Sequence, residues 1–372
     1  MSLFIDIHAL QTLPPSNINR DDTGAPKTAT FGGVPRQRVS SQAWKHVMRH
    51  DLAEALTPEL MGVRTKRVVQ KIASKIQKLD ESWDEARATA EVEALLKTAG
   101  IKVSPSSKKK GEDEESHLET GYLLFLSNHQ IQAAAQAIID ADGEKIAKKD
   151  AQKVLDDKNS VDIALFGRMV ADDAAYNVDA AAQVAHALGV AGAEPEFDFF
   201  TAVDDVVRDA EETGAGMLGT VEMMSSTLYR YATVNLEGLA ANLDDRDVAV
   251  KATRAFVESF LTSMPTGKQN TFANRTLPEA IVVSVRKDRP VSLVNAFEVP
   301  ATNENGGYRL QAAQKLAEEA QALDAMYGYK PEASWVVALP NLAEALDGLG
   351  TVTNLPQLLD ELTATLEATE SK

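Results

Sequence analysis

Lys45 and Arg49 stand one helical turn apart, just after Ser40, Ser41 and Gln42, in the stretch GGVPRQRVSSQAWKHVMRH (residues 32–50), which has no acidic residue. If Ser40 or Ser41 caps a helix running to about Leu56, free backbone N–H groups, the helix dipole and the hydroxyls meet at one end, where a phosphate is favoured. Lys45 and Arg49 would then neutralise the next phosphates along a strand. Arg20, Lys27, Arg36 and Arg38 extend the same charge into the flanking loop. Donors spread this widely suit a polyanion better than one small anion.

Other patterns carry less chemistry. GAGMLG (214–219) spells G-x-G-x-x-G, but acidic VVRDAEE precedes it and extended TVEMMSSTLYRY follows, so a glycine-rich hairpin tip is expected there and not a dinucleotide fingerprint. His46 and His50 have the spacing of two metal ligands, yet HVMRH lacks the glutamate of a zincin and sits among cations. Asp21 and Asp22 in NINRDD could form a carboxylate pair, although adjacent loop acids more often cap turns. No G-x-S-x-G or P-loop lysine motif supports nucleophilic or phosphoryl-transfer chemistry. Phe197, Phe199 and Phe200 in FDFF could stack on bases or pack on a neighbour. The basic-Gly-aromatic run of an RNA-recognition sheet is not present.

The chain that positions these residues has 372 residues and a formal net charge of −17, with 44% hydrophobic and 25% charged residues. Those values describe a globular protein. Residues 23–79 nevertheless carry 11 Lys and Arg against three acids, Asp51, Glu54 and Glu59. Such segregation implies one anion-binding surface or a solvated basic face, with a solubilising remainder. Cysteine is absent, which excludes disulfides and thiolate sites. MSLFIDIHAL does not read as a signal peptide, and no apolar run is long enough to span a bilayer, so a cytoplasmic protein without membrane contact is expected.

FIDIHAL alternates as a strand, and a long loop (11–36) rich in Pro, Gly and Asn is expected to follow. On the helix after it, Ala43, Trp44, Val47, Met48 and Leu52 share one side and Gln42, Lys45, His46 and Arg49 the other. A second amphipathic helix is expected over 63–79, its charged side formed by Arg64, Arg67, Lys71, Lys75 and Lys78. Residues 83–100 and 118–157 read as helical, with a charged low-complexity loop at 104–117 between them. Strand patterns recur at SSTLYRYATVNLEGL, AIVVSV (280–285) and VSLVNAF (291–297), and a helix is expected at 246–263. This order fits an α+β arrangement, a small antiparallel sheet with helices on one face and a large helical insertion.

Several separated motifs in one order, PPSNINRDD, FGGVPRQRVSSQAWKHVMR, VDIALFGRM, FFTAVDD, LGT and YRYATVNL, resemble the backbone subunit of the type I-E CRISPR Cascade complex, the CasC family. The resemblance continues more weakly through KQNTFANRTLP and PVSLVNAFE. It implies an RRM-like (ferredoxin-like) palm with a helical fingers insertion and a β-hairpin thumb. The palm would comprise 1–59, 161–192 and 223–372, the fingers 60–160 and the thumb 193–222. Arg20, Lys27, Arg38, Ser40, Gln42, Lys45 and Arg49 would hold guide phosphates, Lys268 and Gln269 adding backbone contacts. Arg168 and Met169 would sit at a kink in the RNA, with Met169 as a wedge. Phe199, Phe200 and Thr201 would belong to the thumb folding over RNA on a neighbouring copy. Arg64, Arg67, Lys71, Lys75 and Lys78 could meet target DNA, another subunit or only solvent.

The resemblance implies that several copies form a helical filament on crRNA, gripping phosphates so that the bases stay free to pair with target DNA. The implied partners are further copies of the chain, the large and small subunits, the guide-capping subunit and the guide-processing endonuclease. No catalytic residue, cofactor or metal is expected. Two alternatives stay open: a metal-dependent RNA-cleaving enzyme using Asp21 or Asp22, and a scaffold whose basic helix meets an acidic protein.

Overall fold

The computed structural model describes residues 2–106, 117–170, 173–202, 217–304 and 307–369. The chain divides into two compact units, one of Met1–Asp51, Gln183–Val234 and Phe256–Lys372, the other of Leu52–Ala182 and Asn235–Ala255. Among the described residues no helix is long and apolar enough to cross a membrane.

The first unit is built on a mixed sheet. Its strands run in the order Thr351–Val352, Ala333–Ala338, Ala280–Arg286, Phe4–Ser16, Met217–Asn235, Ala187–Gly189, Val34–Val39 and Thr28–Phe31. FIDIHAL forms the central strand, paired antiparallel from Phe4 against Arg286 to Leu10 against Ala280. Being central, it is covered on both faces, so Asp6 and His8 are as buried as Ile5 and Ile7. Helix Gly307–Tyr327 packs Ala312, Ala313, Leu316 and Ala320 into the same core as Val282 and Val336.

Two expectations in this unit are corrected. The stretch 11–36 is not one loop: the first strand continues to Ser16, and Thr28–Phe31 pairs with Val34–Val39 in a hairpin. Gly32 and Gly33 turn it with φ of 57° and 74°, the left-handed pair that a two-residue hairpin loop requires. VSLVNAF is not a strand but ends in a 3₁₀ turn at Val294–Phe297. Its backbone is satisfied by side chains instead of a ladder, Val291 N–H donating to Asp6 Oδ2 and Leu293 N–H to the Tyr229 hydroxyl.

The second unit packs helices Val68–Leu79, Glu85–Thr98, Asn128–Ala141 and Lys148–Asp156 around Val69, Ile72, Ile76, Val92, Leu96 and Ala134. The third of these starts with a reciprocal cap between Ser127 and Gln130. Here too the periodicity overreached. Gly62–Thr65 is a strand paired with Leu124–Ser127, and Val103–Pro105 pairs with Leu118–Thr120. The charged helix therefore begins at Val68, and Arg64 lies on a strand. The β-branched Val63 and Thr65 and the apolar LFLS favour pairing over a further helical turn. Residues 107–116 of the charged loop lie outside the described residues.

Candidate nucleic-acid interface

The basic helix, Ser41–Ala55, is entered from strand Val34–Val39 through Ser40. Ser40 is buried: its Oγ accepts from Ala43 N–H at 3.3 Å, and its own N–H donates to Asn19 Oδ1 at 2.8 Å. It caps the helix, as its residue type suggests, and so shapes the site from within instead of offering its hydroxyl outward.

Trp44 and Met48 anchor the apolar side of the helix. The buried Arg230 guanidinium lies 3.8 Å from the Trp44 ring centroid and 4.5 Å from that of Phe260. It donates to Gln11 Oε1 at 2.6 Å and to the Phe260 carbonyl. Burial lowers its pKa to about 9. An enclosed cation is tolerated because two ring faces and two oxygens surround it. With that side fixed, Gln42 and His46 are exposed, and Lys45 and Arg49 are half-buried. Desolvation lowers the Lys45 pKa.

Backbone bonds gather the flanking cations. Lys27 N–H donates to Asn19 O at 3.0 Å, and Arg38 N–H donates to Lys27 O at 2.9 Å. Arg20 is exposed and bridges to Pro26. An open cleft of about 500 Å³ is lined by Ile18–Gly24 and Gly267. Gly267 packs so tightly that a Cβ there would stand 2.3 Å from the Ile18 carbonyl oxygen. That contact holds Lys268 and Gln269 beside the Arg20 loop. The first unit thus brings Arg20, Lys27, Arg38, Gln42, Lys45, Arg49, Lys268 and Gln269 to one region, from three separated stretches of chain.

One member of this region was missed in the sequence. His186 Nδ1 accepts from Ser41 N–H at 2.9 Å, at the start of the basic helix. The pairing of Arg38 with Leu188 and Val39 with Ala187 delivers it there. Nothing in AHALG signals this, because the partner is 145 positions away.

Two arginines of the sequence reading are enclosed by protein groups. Arg36 is buried and donates to the carbonyls of Gly189, Phe297 and Glu298, so it holds backbone segments together. Arg168, in the second unit, is equally enclosed. It donates to Tyr176 O at 2.7 Å and Gln130 Oε1 at 3.2 Å, and pairs with Asp156 at 2.7 Å. Desolvation lowers its pKa despite that carboxylate. The next residue, Met169, is 82% exposed. Arg168 therefore fixes the loop that presents Met169, its guanidinium being engaged by groups of the protein itself.

Strand Glu196–Ala202 pairs antiparallel with Met217–Met223 as a two-stranded ribbon. Phe197 and Phe199 share one face of it and are 69% and 64% exposed. Phe200, on the other face, covers Gly219, where a Cβ would meet its ring at 2.4 Å. Thr201 is exposed. The first half of GAGMLG, with the tip expected for it, falls on 203–216, outside the described residues. Its last residues run straight into strand Met217–Asn235, with no helix there to receive a pyrophosphate.

On the second unit, Lys71, Lys75 and Lys78 lie along helix Val68–Leu79, with Arg67 at its N-cap and Arg64 exposed on the preceding strand. Arg67 lies 3.8 Å from Glu119. Asp21 Oδ1 accepts from Thr23 N–H, Thr23 Oγ and Ala25 N–H. These bonds, the Thr23 hydroxyl first, lower its pKa. It closes a turn. His46 and His50 meet edge to face at 4.7 Å, and no group of three or more potential metal ligands occurs among the described residues.

Residues 5–363 match the family described as CT1975-like protein. One solved structure, titled as a CRISPR RNA-guided surveillance complex in a pre-nicking state, is similar at 35% identity, over 98% of this chain and 100% of the other, with a TM-score of 0.84. A second, titled as a CRISPR RNA-guided surveillance complex, shares 31% identity over 97% and 99% of the two chains, with a TM-score of 0.73. Among curated protein sequences none matches.

Proposed function

We infer the function from the premise that this chain belongs to the CT1975-like protein family: it is a backbone subunit of a Cascade-type CRISPR surveillance complex that holds guide RNA by its phosphates. The carrying observation is that Arg20, Lys27, Arg38 and Lys268 lie on segments joined to the start of one anchored helix, along which Lys45 and Arg49 follow. A guide varies in sequence, so its holder must contact what every guide shares and leave the bases to pair with DNA. A row of cations and backbone donors does that. The mixed sheet with its packed helices supports an RRM-like palm, and the ribbon of Glu196–Ala202 paired with Met217–Met223 supports a thumb. Several copies would then line one crRNA as a filament, beside the large, small, guide-capping and guide-processing subunits. Met169 is the side chain offered as a wedge between nucleotides.

An RNA-cleaving reading has less support, since the Asp21 carboxylate is engaged in its own turn. A protein scaffold would use the same basic helix without nucleic acid. The deciding measurement is binding of unrelated, unstructured single-stranded RNAs of equal length across a salt series. The expected result is similar affinity for all of them and a steep salt dependence. Lys45→Ala with Arg49→Ala should flatten that slope by roughly 1.4, about 0.7 for each phosphate no longer neutralised. Sequence-selective weakening, or weak binding indifferent to both substitutions, would overturn the proposal, and assembly without RNA would favour the scaffold.

A further inference from the structure

Ser41 N–H is the donor to His186 Nδ1 at 2.9 Å, so that nitrogen carries no proton while the hydrogen bond stands. A neutral imidazole has one N–H, which must therefore be on Nε2. The helix start thus selects the tautomer. His186 is exposed, lies next to the strand ending at Val39, and is held near Arg38 and Lys27. Those two cations and desolvation lower its pKa, desolvation contributing most. Its remaining donor stands within the cationic region described above, one helical turn from Lys45.

We propose that His186 is a further phosphate-binding residue of this interface, a neutral donor that gives its Nε2–H to a non-bridging guide phosphate oxygen while its Nδ1 positions the first turn of the basic helix. This rests on the guide-RNA reading and assigns that site an interaction of a different kind. Lys45 and Arg49 act through charge and release counterions when they bind. A neutral imidazole adds a directed hydrogen bond and no charge, so its removal weakens binding equally at every salt concentration. Protonation would place a hydrogen on Nδ1, break the Ser41 hydrogen bond, and add a third cation beside Arg38 and Lys27. The neutral form is therefore the one that fits both partners.

The test compares His186→Ala, His186→Asn and His186→Gln with the wild-type chain, using a fixed-length, unstructured single-stranded RNA across a salt series. The Asn oxygen can replace Nδ1 as acceptor for Ser41 N–H, but its amide is too short to replace Nε2. The Gln amide reaches the Nε2 position. Ala and Asn should each weaken binding about three- to tenfold with the salt slope unchanged, and Gln should recover part of that affinity. Imidazole nitrogen spectra of the RNA-free protein should show the Nε2–H tautomer, and that proton should move downfield when RNA is added. Wild-type binding with Ala and Asn unchanged would overturn the His186 proposal alone. So would an Nδ1–H tautomer, or a flattened slope. A wild-type protein that does not bind RNA would overturn this inference together with the guide-RNA reading.

Discussion

At the scale of single residues, buried cations and buried titratable groups set the architecture behind the interface. Arg168 donates to several oxygens of the second unit and exposes only its neighbour, Met169. Arg168→Met is expected to lower stability by about 2–4 kcal/mol, because carbonyls lose their donor inside the fold; denaturant unfolding would measure it. Asp6 and His8 make a second case. Burial raises Asp6 from 3.8 to about 6 and lowers His8 from 6.5 to about 3. His8 favours the folded state above pH 6.5, and that contribution is lost as pH falls towards 3. Asp6 favours it below pH 3.8, and that contribution is lost as pH rises through about 6. Between pH 7 and 5 the two effects are each about 1–2 kcal/mol and opposed. Asp6→Asn removes one of them, so the variant should lose about 2 kcal/mol over that interval while the wild-type balance changes little, as urea unfolding at both pH values would show.

At the scale of elements, the interface depends on close backbone approaches that only small residues permit. Gly267 rests on the Ile18 carbonyl, and this places the turn carrying Lys268 beside the Arg20 loop. Gly267→Ala must push the two segments apart. The expected result is a stability loss of about 1–3 kcal/mol from overpacking, together with weaker RNA binding than Lys268→Ala alone produces. If binding equalled that of Lys268→Ala, the close approach would hold the fold without aligning the site. The cap at Ser40 and the acceptor at His186 belong to the same scale, since both fix where the basic helix starts.

At the scale of the whole molecule, Phe197 and Phe199 are exposed on one face of a two-stranded ribbon, and under the proposed function that ribbon is the part used between copies. Phe197→Ser with Phe199→Ser should leave the affinity of one copy for a short RNA within about twofold. On a long RNA the same variant should form fewer and smaller multi-copy assemblies by sedimentation. Unchanged assembly would move the copy-to-copy interface elsewhere on the surface. The formal charge of −17 belongs to this scale too; under the proposed function it would keep the rest of the surface unattractive to nucleic acid.

What the sequence determined by itself was local. Residue type and 3.6 periodicity set the basic helix, its apolar side through Trp44 and Met48, and its capping by serine. Ordered motifs were enough to identify the family resemblance. Charge counting, however, could not separate arginines that face solvent from those that fasten backbone. Arg36 and Arg168 read like Arg38 in one dimension; the fold encloses the first two among several oxygens, whereas Arg38 donates to a single carbonyl, Thr28 O, and stays half-buried. Pairing between distant strands is equally invisible to a local window. Gly62–Thr65 took the strand form because Leu124–Ser127 lies beside it, and VSLVNAF left it because Asp6 and Tyr229 accept its N–H groups. His186 reaches Ser41 across 145 positions by the same kind of registration. Tertiary structure decided these points because a hydrogen bond depends on which groups meet in space, and that is settled only when the sheet has closed.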